Sequence, residues 1–328
     1  MPNIILTSYC NLHCPYCFAD TMINTENIKN ISLAQFRKIL YWAGKDSIEI
    51  GLIGGEPTLH PQFSEILDTL KEYATIIKRP IMYTLFTNGV YIDKYINDFP
   101  YNMGILINVN QPSAMTQEQY SRMLKNIEIC DKNNWLTKNK EGELNKVNIG
   151  CNICQQIDDY DFFWNIVKKF NIKKIRVSVT APTLKDQLKN KDIYYNSMKE
   201  KFLHFIDNAI KNDVILILDC NQIPYCYFTQ EELKKINMVA DIPLQKVCNC
   251  HPVIDITPEF KASSCFGAYK LINCADFPTL DALVRYIQYK VMYPKILGNC
   301  TGKCKTCKQY EQMECQGGCL AFSHANLD

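Results

Sequence analysis

Seven short runs rich in apolar and β-branched residues alternate with stretches of helical periodicity. The runs lie at 3–7, 48–53, 80–86, 104–108, 146–153, 174–179 and 214–218, and the helical stretches at 33–42, 63–73, 117–131, 159–170 and 194–211. Strands joined through an intervening helix pair in parallel by right-handed crossovers, so this rhythm predicts repeated βα units on a parallel sheet. Six or seven such units are enough for a barrel or an open, partial barrel, in which functional groups gather at the C-terminal strand ends. A weaker helical signal lies at 91–97, and 137–143 reads as an exposed polar loop.

The rhythm stops after about residue 225. Short segments with frequent Cys, Gly and Pro follow, with one modest helix at 280–289. Such a segment is too short to be stable on burial alone. The expected organisation is therefore a barrel over 1–225 and a small metal-held domain over 226–328.

The 328-residue chain is 47% hydrophobic and 21% charged, which suits a globular protein with a sizeable core. Its formal charge of +2 gives no argument for a nucleic-acid partner. The N-terminus has no basic n-region, and no run approaches the roughly 20 apolar residues of a membrane span. A cytosolic location without a membrane partner is the expectation.

Seventeen cysteines are anomalous for that compartment, where disulfides are rare and metal ligation is the usual alternative. They also bunch, three within 10–17 and nine within 248–319. Cys10, Cys14 and Cys17 follow the first predicted strand directly. That loop can offer three thiolates to one face of an iron–sulfur cube, leaving one iron open to a small molecule. Zinc is the alternative, but it closes its shell with a fourth nearby ligand, and His13 is poorly placed beside Cys14. The second strand ends in Gly54-Gly55-Glu56-Pro57, where two glycines let backbone approach a ligand closely or simply make a sharp exit.

Together, Cys10-x3-Cys14-x2-Cys17-Phe18 and Gly54-Gly55-Glu56-Pro57, in that order at strand ends, resemble the radical S-adenosylmethionine (SAM) superfamily. The resemblance implies a partial (β/α)6 TIM-like barrel. It implies that Cys10, Cys14 and Cys17 hold a [4Fe-4S] cluster whose open iron is chelated by SAM. An electron from the cluster would then release methionine and a 5′-deoxyadenosyl radical. By the same likeness the Gly54, Gly55, Glu56 and Pro57 turn receives the methionyl amine, and Phe18 lies near the adenine. Asn108 and Ser178, with Arg176 behind them, are further SAM candidates, and Thr87-Asn88-Gly89 is familiar from the family or simply a turn.

The C-terminal cysteines resemble the SPASM domain that follows many such barrels. Cys250 and Cys265 flank a predicted hairpin, and Cys304-x2-Cys307 precedes Cys315-Gln316-Gly317-Gly318-Cys319. The likeness groups Cys250, Cys265 and Cys319 on one auxiliary [4Fe-4S] cluster, with Cys248 or Cys226 as fourth ligand. It groups Cys304, Cys307 and Cys315 on a second. The family's usual last cysteine is missing, and Cys300 is the local candidate to replace it; otherwise that cluster has an open iron or the site is degenerate. Two auxiliary clusters are the favoured expectation, and a zinc ribbon is the alternative for this region. Cys130, Cys151, Cys154 and Cys274 read as buried small residues.

SPASM-type relatives mostly modify peptides, by thioether or carbon–carbon crosslinks or by residue oxidation. The implied function is oxidative maturation of a ribosomally made peptide, with flavodoxin or ferredoxin as electron donor. Because the first strand begins near residue 3, leader recognition would need a separate protein or the barrel surface. The alternatives are a small-alcohol or sugar dehydrogenase and a non-catalytic iron–sulfur or zinc protein. No side chain is nominated as acid, base or radical quencher.

Overall fold

The alternation is realised almost segment for segment. In a computed structural model, residues 1–17, 19, 29–141, 143–182, 190–219, 223–247, 249–251, 253–265 and 271–323 are described. Up to β7 the longer elements are β1 (Pro2–Ile5), α1 (Leu33–Gly44), β2 (Glu49–Ile53), α2 (Phe63–Ile76), β3 (Met82–Thr87), β4 (Met103–Asn108), α3 (Gln117–Lys132), β5 (Val147–Ile153), α4 (Asp161–Lys169), β6 (Lys174–Val179), α5 (Lys191–Asn212) and β7 (Ile215–Leu218). After them come α6 (Gln230–Val239), β8 (Ile254–Ile256), β9 (Lys261–Ser263), β10 (Ile272–Asn273), α7 (Leu280–Tyr286) and α8 (Tyr293–Gly298). The signal at 91–97 is a single 3-10 turn, Ile92–Tyr95. The helix expected over 280–289 is α-helical only over α7 and continues as π turns, Ile287–Met292.

The chain forms two compact units. The first holds Met1–Leu136, Asn145–Asn148 and Pro252–Ile287; the second holds Thr137–Leu144, Ile149–His251 and Gln288–Asp328.

In the first unit the sheet order is β10-β9-β8-β1-β2-β3-β4. The pairs from β8 through β1, β2 and β3 to β4 are parallel, whereas β8, β9 and β10 pair antiparallel. Every residue of β1 is buried, as expected of a strand covered on both faces. The apolar stripes of α1 (Phe36, Ile39, Leu40) and α2 (Phe63, Ile66, Leu67, Leu70) supply the covering layer. Helix α3 starts at a capping box, with Thr116 accepting from the Gln119 N–H while the Gln119 side chain accepts from the Thr116 N–H.

In the second unit β5, β6 and β7 pair in parallel. Trp164, Phe163 and Phe205 pack there as an aromatic core between α4 and α5. The 22-residue α5 starts at Asn190, whose side chain accepts from the Asp192 N–H, and stops at Asp213 in the left-handed region. Seven strands, β1–β4 in one unit and β5–β7 in the other, carry the α/β fold that the sequence predicts, and β8 adds to β1 as a further parallel strand. Among the described residues no helix is long and apolar enough to cross a membrane.

Candidate functional site

The cysteine loop leaves β1 under tight local control. Thr7 donates its hydroxyl proton to Asn30 Oδ1 at 2.6 Å and accepts from the Tyr9 N–H at 3.1 Å, which turns the chain just before Cys10. The Cys17 N–H donates to the Cys14 carbonyl at 3.1 Å, closing a turn around two of the three thiols. Cys10, Cys14 and Cys17 are all half-buried. Burial pushes the Cys10 thiol up to about 11, helped by the nearby Glu56 carboxylate and the Cys17 thiol. Metal binding must therefore displace protons here.

Among the described residues no three His, Cys, Asp or Glu groups close around a single metal ion. A cubane asks for a different arrangement, because each cysteine binds a different iron. Three half-buried thiols on one loop suit that donor set.

The Gly54-Gly55 pair answers to steric need. A Cβ on Gly54 would lie 2.6 Å from the Thr7 carbonyl oxygen, and one on Gly55 only 2.3 Å from that of Tyr9. The close approach is made to the chain's own cysteine loop. Two hydrogen bonds fix it, Gly55 N–H to Thr7 O and Glu56 N–H to Tyr9 O, both 2.8 Å.

Glu56 is buried, and donors occupy its carboxylate. Oε1 accepts from the Thr58 N–H (3.2 Å), the Thr58 hydroxyl (2.6 Å) and the Thr87 hydroxyl (2.7 Å), while Oε2 accepts from the Asn88 N–H (2.7 Å). Burial raises its proton affinity and these donors oppose the rise. Glu56 thus fastens the ends of β2 and β3 together. Pro57 opens the 3-10 turn that Glu56 caps.

Several asparagines complete the loop's surroundings, and of these Asn11 and Asn110 were not singled out from the sequence. Asn88 donates to Asn11 Oδ1 at 2.9 Å, and Gln119 donates to the Asn11 carbonyl at 3.1 Å. Buried Asn110 accepts from Cys14 Sγ at 3.3 Å and from the Tyr16 hydroxyl. Asn108, the residue expected from the sequence, ends β4, and its carbonyl accepts from Asn110 Nδ2 at 3.1 Å. The available signal was the spacing of two asparagines at the exit of a strand. Phe18 lies outside the described residues.

The second unit holds the other expected residues. Buried Ser178 donates to Asn152 Oδ1 at 2.6 Å, across the register pair that joins β5 and β6. Arg176 ion-pairs with Asp219 and donates to Asn152. A polar row therefore runs across the ends of β5, β6 and β7.

Beyond the strands, Cys250 and Cys319 are drawn together. The Cys250 N–H donates to Gln316 Oε1 (2.8 Å), the Gln316 N–H to Asn249 Oδ1 (3.2 Å), and Asn249 Nδ2 to the Glu314 carbonyl (3.0 Å). The buried Tyr195 hydroxyl accepts from the Cys319 N–H at 2.6 Å and also feels the Cys250 thiol. Cys265 belongs to the first unit, and Cys248 lies outside the described residues. Cys304, Cys307 and Cys315 line one cavity together with Cys226, Lys191 and Tyr310. Gly317 and Gly318, at φ +75° and +93°, let the chain turn beside it.

A cysteine loop at the exit of a buried parallel strand, locked to a Gly-Gly turn at the exit of the next, defines the class. Residues 4–135 match the family described as the Radical SAM superfamily, and this segment is a radical SAM domain. The GTP 3′,8-cyclase of Synechocystis sp. is 25% identical over 172 residues, 49% of this chain and 47% of that protein; the chain thus spans about half the length of this curated relative. Streptococcus suis SuiB bound to S-adenosylmethionine superposes with a TM-score of 0.65 at 15% identity, over 98% of this chain and 72% of that one. The same protein has been solved bound to precursor peptide SuiA. The structure described as native anSMEcpe with bound AdoMet and Cp18Cys peptide gives 0.62 at 16% identity, over 97% and 88%. The likeness to these structures is one of fold.

Proposed function

We propose that the chain cleaves SAM reductively and oxidatively modifies a peptide, by a thioether or carbon–carbon crosslink or another residue oxidation. The observation that carries the first half is the pair of 2.8 Å bonds locking the Gly55–Glu56 turn to the loop of Cys10, Cys14 and Cys17. A [4Fe-4S] cluster held by those cysteines would supply the electron that releases the 5′-deoxyadenosyl radical. The chain's own part is to hold three thiols at fixed spacing and to keep backbone groups of Gly54, Gly55 and Pro57 beside them for the methionyl end. Glu56 holds that turn in place, while Asn108 and Ser178 stay candidates for the nucleoside side.

The peptide half is supported by two fold neighbours whose structures hold peptides, SuiA and Cp18Cys. In this reading residues 1–225 act as the barrel and 226–328 as a SPASM-like domain whose cysteines would hold two auxiliary [4Fe-4S] clusters, groups that would supply an electron acceptor for an oxidation. The partners would be a ribosomally made precursor, a separate leader-binding protein and a flavodoxin or ferredoxin, in the cytosol.

The test is anaerobic reconstitution followed by reduction with SAM. The intact protein is expected to form 5′-deoxyadenosine and methionine, and Cys14→Ala to form neither. Equal product from both would overturn the assignment. Precursor peptides encoded beside the gene are then screened by mass spectrometry for loss of two hydrogens; turnover of a sugar or alcohol in their place would reassign the substrate.

A further inference from the structure

Four cysteines of the second unit line one cavity: Cys226, Cys304, Cys307 and Cys315. Cys300, the replacement expected from the sequence, does not line it. Tyr310, which does line it, donates its hydroxyl proton to the Ile296 carbonyl near the end of the short helix α8. The spacing that made Cys300 attractive, four residues before Cys304, follows the chain and not the cavity.

Cys226 is held in position from several sides. It sits in a 3-10 turn, Tyr225–Tyr227, behind Pro224 and the fully buried Ile223. Lys303, the neighbour of Cys304, donates to the Cys226 carbonyl at 3.5 Å and lays its ammonium 3.6 Å from the centre of the Tyr227 ring. The Tyr227 hydroxyl in turn donates to Asp192 at the start of α5. The turn is thereby pinned to the segment that carries Cys304 and Cys307.

A second observation concerns charge. Lys191 is only 7% exposed, and its ammonium donates to the Asn299 carbonyl (2.7 Å), the Gly317 carbonyl (3.1 Å) and Cys304 Sγ (3.5 Å). Among the described residues no carboxylate pairs with it. A buried cation without a counter-ion is costly. An anionic centre held by Cys304 would supply the missing charge.

We propose that Cys226 completes a four-cysteine set with Cys304, Cys307 and Cys315 around the second auxiliary iron–sulfur cluster, and that the Lys191 ammonium is its counter-charge. This rests on the auxiliary-cluster reading above. It replaces an open or Cys300-ligated second cluster with a closed one, fitted for electron transfer and not for binding substrate. Removing the counter-charge disfavours the electron-rich, reduced cluster, so the Lys191→Gln variant should have a more negative midpoint potential.

The experiment uses full-length protein carrying Cys10→Ala, Cys14→Ala and Cys17→Ala, so that only auxiliary iron is read. Iron and sulfide per chain, EPR spectra of the oxidised and reduced protein and EPR-monitored redox titrations are compared for added Cys226→Ala, Cys300→Ala, Cys304→Ala and Lys191→Gln. Circular dichroism checks that each variant folds. Cys226→Ala is expected to lose about four irons per chain or to show a three-iron signal when oxidised, as Cys304→Ala does, and Cys300→Ala to match its parent. Loss in Cys300→Ala with none in Cys226→Ala would overturn the ligand assignment. No change in Cys304→Ala would instead overturn the auxiliary-cluster reading beneath it. An unshifted potential in Lys191→Gln would remove the counter-charge.

Discussion

Replacing Gly55 with alanine tests the lock between the two strand exits. The added methyl would lie 2.3 Å from the Tyr9 carbonyl oxygen, 2.5 Å from its carbon and 2.9 Å from the Cys10 nitrogen. All three are backbone atoms, so no side chain can swing aside. Relief requires the cysteine loop to move by about an ångström, and overpacking of that kind costs about 1–3 kcal/mol. The movement also breaks Gly55 N–H to Thr7 O and Glu56 N–H to Tyr9 O, each worth about 1 kcal/mol. The sum is about 3–5 kcal/mol, a large fraction of an ordinary domain's stability. Gly104→Ala is the control, because its methyl would meet only the Tyr83 carbonyl at 3.8 Å. Urea denaturation of the metal-free proteins should place Gly55→Ala well below wild type and Gly104→Ala near it, and reconstituted Gly55→Ala should hold less iron on Cys10, Cys14 and Cys17. Wild-type stability and iron content in Gly55→Ala would refute the steric argument.

Glu56→Gln should cost about 2–4 kcal/mol, because an amide nitrogen would face the Asn88 N–H and a charge-assisted bond would be lost; the denaturation midpoint checks it. Asp255 gives a pH dependence. Its buried carboxyl is pushed up to about 7 although Asn3 donates to it at 2.7 Å. Below about pH 4 both folded and unfolded forms are protonated. As pH rises from about 4 to 7 only the unfolded form ionises freely, so stability falls, by roughly 4 kcal/mol in all. Asp255→Asn should flatten that slope in metal-free protein, and an unchanged slope would assign it to other groups.

The strands were legible because burial on both faces leaves near-continuous apolar runs, and Lys174–Val179 falls where it was expected. β3 begins at Met82, not at residue 80, since Pro80 has no N–H to give the ladder. α5 begins three residues before its apolar periodicity, at a polar Asn190 cap, and this early start is what buries Lys191. The three N-terminal thiols and the Gly-Gly turn were readable as local motifs. Asn110, Asn11 and Asn152 were not, because their partners are chosen by register and distant loops. The choice between Cys226 and Cys300 depends on the fold in the same way. The pairing of β8 with β1, where Asn3 meets Asp255 across 252 residues of chain, has no local signature.

β1 has β2 along one side and β8 along the other. Its amides and carbonyls are therefore already committed, and no flank is left for a strand from another molecule to join. This segment offers no free edge to a second chain, whatever the adjoining cysteine loop holds.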